Sequence, residues 1–146
     1  MNVKMIQTRR SFLTQSSAFA TFAISGTKSS GRIIGANERV NVAVCGIKSR
    51  GASHIGGHGR QKNVTISHLV DPDSRLFDGR KKFVQSKFKN TPKCIQDVRK
   101  VLDDKEVDAI SIATPNHWHS LMSIWACQAG KDVYVEKPLS HNLFEG

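Results

Sequence analysis

The chain has 146 residues, of which 38% are hydrophobic and 23% charged, with a formal net charge of +10. That length holds one domain and part of a leader. The charge invites a nucleic-acid partner, but its distribution excludes one. Lys4, Arg9, Arg10, Lys28, Arg32 and Arg39, opposed only by Glu38, put five of the ten surplus charges ahead of the first strand, and the rest mix with acids. Lys81, Lys82, Lys87 and Lys89 are the densest basic group and read as a solvated helix face.

Residues 1–37 read as an export signal and linker, and residues 38–146 as the folded domain. Thr8-Arg9-Arg10-Ser11-Phe12-Leu13 is a twin-arginine pattern. The weakly apolar stretch after it, residues 18–24, is too short for a membrane span of about 20 residues. A charged start, a short apolar core and small residues beyond it describe a twin-arginine signal, hence export to the periplasm without membrane insertion afterwards. The alternative is an unstructured basic tail, with a cytoplasmic protein. Three cysteines, Cys45, Cys94 and Cys127, lack CxxC spacing, which argues against a disulfide framework or a zinc site. Cys45 and Cys127 are expected to be small buried groups.

In chain order, residues 40–45 form a β-rich run that ends at Gly46. A short, poor helix from Ala52 follows, weakened by Gly56, Gly57 and Gly59. Residues 64–70 are a second strand that stops at Asp71-Pro72. Leu76, Phe83, Val84 and Phe88 space out an amphipathic helix. Residues 93–95 form a short extended piece, and Asp97 caps a short helix carrying Val98, Val101 and Leu102. Residues 107–113 are a third long strand. A helix over 117–129 is closed by Gly130. Residues 132–135 form a strand, and His141 begins another helix. Alternating strands and helices imply a parallel sheet with right-handed crossovers, so the expected fold is α/β, a Rossmann-like doubly wound sheet.

Ligands in such sheets bind beyond the carboxyl ends of the strands, and the chemistry-bearing residues gather there. Gly46-Ile47-Lys48-Ser49-Arg50-Gly51 fits the first and third glycines of the dinucleotide fingerprint GxGxxG, with Lys48 in place of the second. The Lys48 and Arg50 side chains can offset that departure by meeting phosphate as charged donors. Asp71, at the end of the second strand and 20 residues after Gly51, suits the ribose hydroxyls and repels a 2′-phosphate, which favours NAD over NADP. Arg75 nearby pulls the other way. Thr114 and Asn116 either cap the next helix or bond the cofactor. His117 and His119, two apart, do not share a helix face. His54 and His58 have i,i+4 spacing but lack the glutamate of HExxH, so no metal is expected. Glu136-Lys137-Pro138 ends the last strand. A lysine there is a useful acid or base when its surroundings shift it toward the working pH.

The ordered set ATPNHWH and EKP, with the glycine-rich turn upstream, resembles the NAD(P)-dependent Gfo/Idh/MocA oxidoreductases (glucose–fructose oxidoreductase and inositol dehydrogenase) over roughly residues 39–146. The resemblance implies that the TPN loop lies on the ribose and nicotinamide side of the cofactor. It implies that Lys137 sits near the nicotinamide and contacts the substrate hydroxyl as the catalytic acid/base, with Glu136 orienting the cofactor or the lysine. The cofactor-binding residues expected on these grounds are Gly46, Ile47, Lys48, Arg50, Gly51, Asp71, Thr114, Pro115, Asn116, His119, Glu136 and Lys137. The family's second α/β domain, which carries most substrate contacts, is not encoded in these 146 residues. The expectation is therefore a truncated, NAD-binding part of an exported oxidoreductase acting on a sugar or polyol. Alone it has little turnover, and a homo-oligomer is possible. The alternative is a non-catalytic nucleotide-binding module.

Overall fold

The structure, a computed structural model, describes residues 39–146. The twin-arginine pattern and the linker to Asn37 lie outside the described residues. Five strands alternate with helices: β1 Val40–Cys45, α1 Arg50–Gly59, β2 Val64–Val70, α2 Phe77–Phe88, β3 Lys93–Ile95, α3 Arg99–Leu102, β4 Ala109–Ile112, α4 His119–Gln128 and β5 Asp132–Val135. Single 3-10 turns, Ser74–Leu76 and Asn116–Trp118, lead into α2 and α4. All strand pairs are parallel, in the order β3-β2-β1-β4-β5. This is the Rossmann-like α/β sheet that the alternation predicts.

The period-2 alternation of side chains in β1 divides the apolar residues between the two sheet faces. Val42 and Val44 join Ile47, Ile55, Ile66, Leu69 and Val84 under α1 and α2. Ala43 and Cys45 join Val70, Val101, Val107, Ile110, Ile112, Met122 and Ala126 under α3 and α4. Because β1 is covered on both faces, its run is continuously apolar from Val42 to Cys45, as parallel strands usually are. Burial pushes the Cys45 thiol up to about 12, with a smaller push from Asp71. This cysteine is a packing group and not a nucleophile.

Four local expectations need correction. The third long strand is shorter than its apolar run, Ala109–Ile112. Its flanks still bond neighbouring backbone: Asp108 N donates to Asn41 O at 3.0 Å and Ala113 N to Cys45 O at 2.8 Å. The first helix begins at Arg50 and keeps all three glycines. A Cβ at Gly56 or Gly57 would meet nothing within 4 Å, whereas Gly59 lies against the Phe88 ring. Cys127 is exposed, because α4 turns Met122 and Ala126 inward. No helix starts at His141. Glu145 instead accepts from His141 N at 3.2 Å and Asn142 Nδ2 at 3.1 Å, which fixes a turn. Gly130 does end α4 with φ 71°, the left-handed conformation glycine tolerates. Asp97 accepts from Arg99 N at 3.0 Å ahead of α3. Among the described residues, no helix is long and apolar enough to cross a membrane.

Candidate functional site

The sheet order reverses between β1 and β4: β1 leads to β2 and β3 on one side, then the chain returns to β4 on the other. Loops diverge at that point, beyond the strands' carboxyl ends, and leave a crevice. A cleft of about 890 Å³ lies there, lined by Gly46, Lys48, Ser49, Arg50, Asp71, Thr114 and Pro115, with an apolar wall that includes Leu76, Val98, Trp118, Met122 and Trp125. That volume is in the range of small-molecule and cofactor sites, about 300–1,000 Å³.

The turn after β1 is built by close approach. Gly46 has φ 78°, and a Cβ there would stand 2.7 Å from Ala113 O. A Cβ on Gly51 would stand 1.7 Å from Gly46 O. These two glycines let the turn fold tightly onto the start of α1. The first turn of α1 carries no acidic residue and no side-chain cap at Ser49. The positive dipole end of the helix, uncapped by any side chain, therefore suits an anion.

Two side chains hold this turn from outside. Asp71 Oδ2 accepts from Ile47 N at 2.9 Å, while Oδ1 accepts from Asp73 N at 2.9 Å. Each oxygen keeps one lone pair free of these bonds, and the residue lines the cleft although only 8% exposed. Arg80 of α2 donates through Nε to Ile47 O at 2.8 Å and through Nη2 to Lys48 O. Ile47 itself is fully buried. Arg75, the cation weighed as an attractant for a 2′-phosphate, is held by Asp73, with Nε and Nη2 each 2.8 Å from its carboxylate oxygens.

Across the cleft, the TPN and EKP loops are joined by His119. This side chain is 1% exposed. Nδ1 lies 2.6 Å from Pro138 O and Nε2 2.8 Å from Thr114 O, so both ring nitrogens are used by the two loops. His119 is placed beneath the loops and not among the cleft-lining side chains. Asn116 opens the 3-10 turn, and its carbonyl accepts from His119 N.

Glu136 turns toward α1. Its Oε1 accepts from Arg50 Nε at 2.5 Å and His54 Nε2 at 2.9 Å, and its Oε2 from Lys137 N at 3.3 Å. The hydrogen bond from His54, then that from Arg50, pulls the Glu136 carboxyl down to about 2. With His54 Nε2 donating, His54 Nδ1 accepts from the Ser111 hydroxyl at 2.9 Å, and Ser111 Oγ accepts from His58 Nε2 at 3.0 Å. Tyr134 packs edge-on against both imidazoles, with centroids 5.3 and 5.4 Å away. The i,i+4 histidines are thus the middle of a polar chain that ties α1 to β4 and the EKP loop. Among the described residues, no group of three His, Cys, Asp or Glu side chains is arranged to hold a metal.

The expected site residues therefore separate into three groups. Gly46, Lys48, Arg50, Asp71, Thr114 and Pro115 line one cleft. Ile47, Gly51 and His119 are buried supports of its loops. Asn116, Glu136 and Lys137 stand on the adjoining loops. Arg80, His54, His58 and Ser111 were not legible as site residues. The i,i+4 histidine spacing was the available signal for the histidine pair, and nothing in the sequence marks Arg80.

The profile of the oxidoreductase family with an NAD-binding Rossmann fold, Gfo/Idh/MocA, matches residues 40–146. The chain belongs to this family. A glycosyl hydrolase family 109 protein of Shewanella pealeana is 27% identical over 119 residues, 79% of this chain and 26% of that protein. The levoglucosan dehydrogenase of Pseudarthrobacter phenanthrenivorans is 46% identical over 44 residues, 30% of this chain and 11% of that enzyme. Among solved structures, GenD2 from gentamicin A biosynthesis, in complex with NAD, is 27% identical with TM-score 0.64, covering 74% of this chain and 29% of that one. The chain thus spans about a quarter of the length of the curated relatives it matches over most of its own. Residues 40–146 are the NAD-binding Rossmann domain of that family.

Proposed function

We propose that this chain is the dinucleotide-binding part of an exported oxidoreductase that moves hydride between NAD and a hydroxyl of a sugar or polyol. The observation that carries the reading is the cleft at the sheet's reversal point, with a two-glycine turn and an uncapped helix start on one wall and Asp71 on the floor. When bound, the nicotinamide supplies the hydride acceptor. The chain's own work is positioning. The turn and the first amides of α1 take the phosphates, and Lys48 adds a cation at the cleft. Asp71 receives the adenosine ribose hydroxyls on its remaining lone pairs and disfavours a 2′-phosphate, while Asp73 keeps Arg75 from offsetting that preference. Thr114 and Pro115 bound the nicotinamide side. Lys137 takes the hydroxyl proton as hydride leaves. The substrate wall comes from further polypeptide.

Titration of the chain with NADH and NADPH tests the cofactor half. NADH should bind tighter, and Asp71→Ser should narrow the gap; tighter NADPH binding overturns the reading. For export, residues 1–37 fused to a folded reporter should send it to the periplasm. The double substitution Arg9→Lys with Arg10→Lys should retain it in the cytoplasm, and unchanged export refutes the signal.

A second reading, glycoside cleavage, is favoured by the name of the Shewanella relative. The two differ in their balance sheet. A dehydrogenase accumulates NADH with turnover, whereas a glycosidase releases free sugar with no net change in cofactor.

A further inference from the structure

The phosphate turn lacks the glycine that would stand at position 48, and with it the freedom to swing carbonyls by adopting positive φ. In this turn only Gly46 has positive φ. Ile47 and Lys48 keep ordinary backbone, so their carbonyl oxygens need a partner. Both find the same one. Arg80, 33 and 32 residues further along the chain, donates Nε to Ile47 O at 2.8 Å and Nη2 to Lys48 O. On the other side of the same residue, Asp71 Oδ2 accepts from Ile47 N at 2.9 Å. Ile47 is therefore pinned between an anion at the end of β2 and a cation on α2. Arg80 is not among the cleft-lining residues. Any effect it has on a ligand passes through the turn.

Carbonyl oxygens facing a phosphate repel it, whereas backbone amides attract it. The planar fork of an arginine suits two neighbouring acceptors, which a lysine's single ammonium does not match in the same way. From this geometry we infer that Arg80 is the positioning residue of the phosphate turn. It holds the two carbonyls away from the cleft, and so does the work that a glycine at 48 would otherwise make possible. The ligand feature it serves is the pyrophosphate of a dinucleotide, so the inference rests on the dinucleotide-binding reading above.

The test uses the full chain and two probes, NADH followed by fluorescence and adenosine followed by NMR titration. Arg80→Met should weaken NADH at least tenfold while changing adenosine less than twofold, because adenosine has no phosphate to meet the turn. Arg80→Lys should fall between wild type and Arg80→Met. Arg80→Met should weaken NADH less in a Lys48→Gly background than in the wild-type background, which a merely structural tie between α2 and the turn would not produce. Equal losses for NADH and adenosine, or NADH affinity unchanged in Arg80→Met, would overturn the inference and leave the dinucleotide reading intact. A wild-type chain that binds no dinucleotide would overturn both. If Arg80→Met fails to fold, Arg80→Lys with a melting point near wild type carries the same comparison.

Discussion

At Gly51 an added Cβ would stand 1.7 Å from a backbone oxygen that has no room to retreat, since Gly46 is itself pressed against the Ala113–Thr114 peptide. Gly51→Ala should therefore cost more than about 3 kcal/mol, the large tail of single substitutions. Urea unfolding measures it, and a loss under about 1 kcal/mol would contradict the packing described. Titration gives a second handle. Glu136 is held well below its ordinary range, at about 2, by His54 and Arg50. A carboxyl depressed on folding contributes stability that is present above its unfolded value of about 4.5 and lost as pH falls toward about 2. His58 is lowered by burial and by His54, and His68 by burial and then Lys93, with Asp104 opposing. Each takes up a proton less readily when folded, so their contribution is complete above about 6.5 and erodes as pH drops below it. Melting temperatures should thus decline in two ranges. Glu136→Gln should flatten the lower one and His58→Asn part of the upper. Curves that superimpose on wild type would refute these assignments.

Among the elements, α1 carries the clearest opportunity for change. Gly56 and Gly57 sit in open space within the helix, where glycine costs roughly 0.5–1 kcal/mol relative to alanine. Gly56→Ala with Gly57→Ala should raise stability by about 1–2 kcal/mol, a gain of several degrees in Tm. Gly59→Ala should lower it, because its Cβ would lie 2.5 Å from the Phe88 ring. Calorimetry on the three variants separates these outcomes. The elements also show what the sequence reveals. β1, β2, β3 and β5 were legible to the residue, since apolar runs stop at Gly46, Asp71-Pro72 and Glu136-Lys137-Pro138, where turn chemistry is local. The glycines of α1 misled because propensity is weaker than packing: Ile55 and His54 bury a face that holds the helix regardless. The six residues after Ser140 resemble a helix start, but Glu145 satisfies His141 N across a turn, a choice that composition does not reveal. The site was half legible on the same ground. Gly46, Gly51 and Asp71 follow from spacing along the chain. Arg80 reaches its acceptors only because α2 crosses the turn in space.

For the whole molecule, the distribution of apolar surface is uneven. On the outer side of α4 and the segment after β5, Leu121 is 39% exposed, Ile124 50%, Leu139 61%, and Leu143 and Phe144 almost wholly. Ser120 Oγ donates to Leu139 O at 3.2 Å, which draws part of that segment alongside α4. Exposed apolar side chains of this size favour association. Light scattering should show concentration-dependent self-association of the chain, reduced by Ile124→Lys with Leu143→Lys. A monomer at every concentration would argue against it.

The place of β1 has a consequence in time. Ala43 to Cys45 are paired with β2 on one side and β4 on the other, and lie between the two apolar layers. Their amide protons meet solvent only when the sheet opens as a unit. β3 and β5 each have one neighbour in the sheet, so local opening frees them sooner. In deuterated water the exchange clock of this protein should run from its edges inward. The last protons to leave, those of β1, should report the free energy of unfolding the entire sheet.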